Sequence, residues 1–313
     1  MKILIIKLGA LGDVVMATPL IEAIQSTYPN GDIHLLTTPQ FASIFTSWEG
    51  IQVHTYPRRG WAAMWSIINF VRRGHFDTVF DLQGNDRTSL ICALSGAQQR
   101  VGNHPRFPYT HHPKSRWRGD SHIFERMTSV LQAARVEVTN DIPVIPVDAT
   151  QRDKVDRWLT ERALHSVKLV AIHASASAAR AEKCWPHFAE LANKLLPFEF
   201  TPVWLGSKDE APSNAALIAA SGGINACGEF SIPELAYFSK RISFAVTNDS
   251  GPMHALAVGG QPIYGLFGPS DWRRNHALGQ AQNVISSTDD FGAIDKISVD
   301  QVWRRLLADH RLS

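Results

Sequence analysis

Near the amino terminus, Lys2-Ile3-Leu4-Ile5-Ile6-Lys7 has no polar position between its two lysines. A strand with one wet face alternates apolar and polar residues, whereas a strand covered on both faces reads as a continuous apolar run and belongs to a parallel sheet flanked by helices. The sequence continues as Leu8-Gly9-Ala10-Leu11-Gly12-Asp13, then as an amphipathic stretch from Val14 to about Tyr28 that stops at Pro29-Asn30-Gly31. Strand, glycine loop and helix in that order predict an α/β chain.

The alternation persists. Strand patterns near residues 32–37, 51–56, 77–82 and 99–102 are separated by helical patterns near 60–73 and 86–95, with another helix over about 121–135. Ile142-Pro143-Val144-Ile145-Pro146-Val147 is extended and proline-punctuated, which predicts a linker and hinge ahead of a polar helix over about 150–164. A second series follows, with strands near 168–173, 201–205, 224–227, 242–247 and 262–267 and helices near 186–196, 210–220, 231–240 and 252–258. Pattern does not assign the last helix, about 298–310, to either half. The prediction is two doubly wound, Rossmann-like parallel sheets, in residues 1–147 and 148–313, facing across a cleft.

Length agrees with two domains, since 313 residues exceed an ordinary single module. Hydrophobic residues at 44% and charged residues at 19% give each half material for a core. No apolar run is long enough to span a bilayer and no signal-peptide pattern precedes the first strand, so a cytoplasmic protein is expected. Cys92, Cys184 and Cys227 are odd in number and far apart, which argues for reduced thiols and against a cysteine metal site. The net charge of +2 does not suggest nucleic-acid binding, but residues 51–126 hold 11 basic against 5 acidic side chains, interleaved with Trp61, Trp65, Phe107, Tyr109 and Trp117. That stretch suits an anionic, partly apolar partner; a solvated face with scattered core aromatics is the plainer reading.

Doubly wound sheets bind ligands at the carboxyl ends of their strands. In the first loop, Gly9 and Gly12 let the backbone approach a ligand, but G-x-x-G lacks the third glycine of the dinucleotide fingerprint. Asp13 falls where a capping or first-turn acid would, and a carboxylate exposed there can also act as a general base on a hydroxyl. In the second half, His173-Ala174-Ser175 ends a strand and leads through Arg180 and Lys183 to a helix start, a loop able to hold a diphosphate by amides and charge, or simply a surface loop. Asn248-Asp249-Ser250-Gly251-Pro252-Met253-His254 follows another strand, and Gly268-Pro269-Ser270-Asp271 the next. Three such loops converge on one side, although a lone helical histidine such as His254 is more often structural.

Lys7 to Val15 with Ala17-Thr18-Pro19-Leu20, Asn248 to His254, and Phe267 to Asp271 together resemble the lipopolysaccharide heptosyltransferases of glycosyltransferase family nine, in motif order and over nearly the whole chain. Phe76 to Gly84 leans toward the heptosyltransferase I branch, and Lys183-Cys184-Trp185-Pro186 looks like a family Lys-x-Trp-Pro signature. The resemblance implies a GT-B fold whose N-terminal domain receives the acceptor and whose C-terminal domain grips ADP-heptose. It implies inverting transfer to the Kdo region of lipopolysaccharide core with neither metal nor other cofactor. By position, Asp13 becomes the general base. Ser175, Lys183, Asp249, Ser250, Gly251 and His254 bind the donor, and Gly9 and Gly12, with Arg58, Arg59 and Arg116, bind the acceptor. The family's cation follows its strand-end histidine more closely than Lys183 follows His173, so Arg180 or Lys183 or both fit the phosphate role; Trp185-Pro186 favours Lys183. Arg58, Arg59, Arg100, Arg106, Lys114, Arg116 and Arg118 are expected to meet Kdo carboxylates and lipid A phosphates at the inner membrane leaflet. No Asp-x-Asp occurs, so helix N-termini and Lys183 take the place of a metal clamp on the diphosphate.

Three rival readings fit the same residues: a related transferase with another nucleotide sugar or acceptor, a sugar-nucleotide epimerase of the same fold, and a non-catalytic dinucleotide- or sugar-nucleotide-binding module. Closure of the two domains around both substrates is expected, and a monomer is the default.

Overall fold

The computed structural model describes residues 1–57, 60–114, 120–176, 178–287 and 292–310. The chain divides into two compact units, Met1–Pro146 and Val147–Ser313.

The first unit runs β1 (Lys2–Ile6), α1 (Leu11–Met16), α2 (Thr18–Thr27), β2 (Asp32–Thr37), β3 (Ile51–Thr55), α3 (Trp61–Gly74), β4 (Thr78–Asp81), α4 (Asp86–Leu94), β5 (Gln99–Val101) and α5 (Ile123–Ala133). Its strands are parallel in the order β3-β2-β1-β4-β5. β1 is central, so Ile3 to Ile6 are all fully buried, which is why the run does not alternate. Leu4 and Ile6 pack with Met64, Ile67 and Val71 of α3 and Ile91 of α4, while α5 covers α1 and α2. The single helix expected from Val14 onward is two helices. Pro19 has no N–H for the carbonyl of Val15, and the Thr18 hydroxyl supplies the missing donor at 2.7 Å. The same hydroxyl accepts the N–H of Val144 at 2.8 Å, so the chain just before the unit boundary is anchored to α2.

The second unit runs α6 (Ala149–Glu161), β6 (Lys168–His173), α7 (Phe188–Leu195), β7 (Phe200–Trp204), α8 (Ala211–Ser221), β8 (Ile224–Asn225), α9 (Ile232–Phe238), β9 (Ile242–Asn248), α10 (Gly251–Leu256), β10 (Ile263–Phe267), α11 (Trp272–Asn275), β11 (Val284–Ser286) and α12 (Val299–His310). Its six strands are parallel in the order β8-β7-β6-β9-β10-β11. Ala171 and Ala245 face the side covered by α6, α9 and α10; Ile172 and Val246 face α7. α12 packs there too, through Val302 and Leu306, which assigns the last helix to the core of this unit. β11 is a three-residue edge strand that the sequence pattern did not reveal.

Both sheets therefore repeat one topology. Strand order reverses between β1 and β4 in the first unit and between β6 and β9 in the second, the points at which crossovers leaving in opposite directions make the ligand crevice of doubly wound sheets.

Candidate active site

At the first reversal, Lys7 directly follows β1 and Asp81 ends β4. Asp13 sits in the first turn of α1; the N-cap is Ala10, which makes no side-chain bond, so Asp13 is not the cap. Its carboxylate is 27% exposed and lies 3.4 Å from the Lys7 ammonium, which is 3% exposed and also donates to the carbonyl of Leu82 at 3.2 Å. Burial pushes the Lys7 ammonium below the usual lysine range, against the pull of Asp13 and Asp81. Asp81 is buried and accepts the N–H groups of Gln83 (3.0 Å) and Gly84 (2.8 Å) on one oxygen and the hydroxyl of Tyr109 (2.6 Å) on the other. Burial raises its carboxyl above the usual range despite those donors, and burial together with the Asp81 charge raises the Tyr109 phenol. Gln83 Oε1 accepts from Leu8 N at 2.9 Å and Gly9 N at 3.1 Å, tying the two loops together across the reversal. Gly9 adopts φ +143°, and a Cβ there would lie 2.9 Å from Phe41 Cε2. Gly9 and Gly12 are both buried.

At the second reversal, His173 ends β6 and Asn248 ends β9. Asn248 organises the crevice: its Oδ1 accepts the N–H of Trp185 at 3.0 Å and its Nδ2 donates to the carbonyl of Ala174 at 2.7 Å and, more loosely, to that of Ser175 at 3.5 Å. Trp185 in turn is buried and donates Nε1–H to Ile297 O at 2.8 Å. This frame brings the Lys183 ammonium into an ion pair with Asp249, the side chains being only 15% and 9% exposed. Ser250, the N-cap of α10, lies 3.0 Å by its hydroxyl from His173 Nδ1. Burial holds the His173 imidazole below the usual histidine range, opposed by Glu210. Gly251 opens α10 and His254 is buried within it. Arg180 turns to Glu182 at 2.6 Å on the surface, so Lys183 rather than Arg180 reaches the crevice.

Asp13, Gly9 and Gly12 thus gather at one reversal, and Ser175, Lys183, Asp249, Ser250, Gly251 and His254 at the other. Arg58, Arg59, Arg116, Trp117 and Arg118 lie outside the described residues. Arg100 is committed elsewhere, its guanidinium donating to the carbonyls of Pro108 (2.6 Å) and Ala97. Three polar residues that sequence reasoning gave no role, Lys7, Asp81 and Gln83, brace the first crevice; their signal was a polar residue closing or just following an apolar strand. Cys92 is buried, Cys184 and Cys227 are half-buried, and all three are free thiols. Among the described residues no helix is long and apolar enough to cross a membrane.

Two Rossmann-like units of this topology form the GT-B class. A crystal structure of a glycosyl transferase family 9 protein from Veillonella parvula superposes with a TM-score of 0.85 at 22% identity, covering 98% of this chain and 96% of that one. The chain belongs to glycosyltransferase family 9 (heptosyltransferase), whose family model matches residues 64–298. Lipopolysaccharide heptosyltransferase 2 of Escherichia coli K12 is 21% identical, over 99% of this chain and 94% of its own length. Heptosyltransferase WaaC of E. coli, solved with ADP-2-deoxy-2-fluoro heptose, has a TM-score of 0.76 at 18% identity, covering 99% of this chain and all of that one.

Proposed function

We propose that this glycosyltransferase moves heptose from ADP-heptose to the Kdo region of the lipopolysaccharide inner core, inverting the anomeric centre and using no metal. The observation that carries the reading is the sorting of the family motifs: a partly exposed carboxylate, Asp13, gathers at one strand-order reversal, and a cation with hydroxyl and amide groups, Lys183, Ser250 and Gly251, at the other. The solved relative with an ADP-heptose analogue supports the donor class.

In this mechanism the first unit binds the acceptor and the second the donor. Asp13 takes the proton of the acceptor hydroxyl as its oxygen attacks the anomeric carbon opposite the leaving group. The bond from that carbon to the diphosphate oxygen breaks, and ADP departs with the electron pair. Lys183 and the backbone N–H groups beside it balance the developing charge, while Asp249 fixes where the ammonium sits. The acceptor is an anionic, membrane-borne Kdo-lipid A. Exposed Trp65 (61%) and Phe107 (78%) on the first unit, with exposed Lys114, suit peripheral contact with the inner leaflet by a monomer.

Substitution of the base tests the reading. With ADP-heptose and Kdo-lipid A in the presence of EDTA, Asp13→Asn is expected to lower kcat by about 10²–10⁴ while leaving ADP affinity at the wild-type value; some loss of Tm is expected too, because the buried Lys7 ammonium loses its counter-charge. Retained turnover, or loss of ADP affinity in parallel with turnover, would remove Asp13 from the chemistry.

A further inference from the structure

Gln83 lies two residues beyond β4, half-buried beside the β1–α1 loop. Its Oε1 accepts two backbone N–H groups, from Leu8 at 2.9 Å and Gly9 at 3.1 Å. Flipping the carboxamide would turn its NH2 against those same donors, so the network fixes the orientation. Nε2, with two N–H donors, therefore faces away from the loop, and it makes no hydrogen bond to any described residue. Asp13 is close by: Lys7 Nζ bridges its carboxylate and the carbonyl of Leu82, the residue before Gln83.

We propose that Gln83 binds the acceptor. Its NH2 donates to an acceptor oxygen, a carboxylate or a sugar hydroxyl, next to the hydroxyl that Asp13 deprotonates. A neutral donor suits this position, because an exposed cation here would join the buried Lys7 on the Asp13 carboxylate and block the base. A carboxamide that can only donate on this side also discriminates: an acceptor presenting N–H or a methyl group there leaves the donors unpaired.

The inference rests on the proposed transfer to a Kdo acceptor, so wild-type transfer is measured first; its absence overturns that reading and this inference together. Gln83→Glu keeps an oxygen for Leu8 N and Gly9 N but has no donor, and Gln83→Met removes the donors without adding charge. With acceptor varied at saturating ADP-heptose, both variants are expected to lose about 10- to 100-fold in acceptor kcat/KM, with ADP affinity unchanged by calorimetry and the Tm of Gln83→Glu at the wild-type value. Wild-type acceptor kinetics in either variant would overturn the assignment while leaving the transfer reading intact. Parallel loss of ADP affinity or stability in Gln83→Glu would also overturn it, reducing Gln83 to a brace for the loop.

Discussion

Each crevice holds a buried titratable side chain that water would solvate better than the protein does, Lys7 in the first and His173 in the second, and each is restrained by specific polar partners. His173 is the case that pH can read. Its imidazole is buried against Ser250 and its pKa is lowered by that burial. Above the unfolded value, about 6.5, the ring is neutral in both states. As pH falls below it, the unfolded ring takes up a proton that the folded ring refuses, so stability is lost toward acid. His173→Gln should therefore flatten the fall of Tm between about pH 7 and pH 5; identical slopes for variant and wild type would show that this ring does not couple to folding. At this scale the sequence pointed to Asp13, Lys183 and Asp249 as candidates, because each lies in the segment that follows an apolar strand. Lys7, Asp81 and Gln83 were opaque, since what they touch depends on which strand lies beside β1, and strand adjacency is not a local property.

The β1–α1 loop shows how an element positions a side chain. Gly9 is left-handed at φ +143° and packs beneath Phe41, while Gln83 takes the N–H groups of Leu8 and Gly9. A methyl at Gly9 meets both a strained backbone and an aromatic ring 2.9 Å away. Gly9→Ala should cost about 1–3 kcal/mol in urea unfolding and lower transfer more than ADP binding; wild-type stability would mean the loop relaxes freely. The apolar run of β1 was legible as a doubly covered strand because nothing polar interrupts it. The break between α1 and α2 was not, because the apolar period continues through Ala17 and the cause is one missing N–H at Pro19. β11 escaped because three residues at a sheet edge carry too little pattern.

Over the whole molecule, one topology is used twice, and both reversals collect the polar residues. The α/β class and the two parallel sheets followed from alternating strands and helices, and the family from motifs in order; strand order within each sheet required the structure. The central claim is that this family 9 enzyme works on an ADP-activated sugar without a metal. Calorimetric titration of the EDTA-treated protein with ADP, UDP, GDP and dTDP tests it most directly. The account predicts that ADP binds with no added metal, at least about tenfold more tightly than the others, a gap of about 1.4 kcal/mol. Tighter binding of another nucleotide, or ADP binding that appears only with a divalent cation, would contradict it.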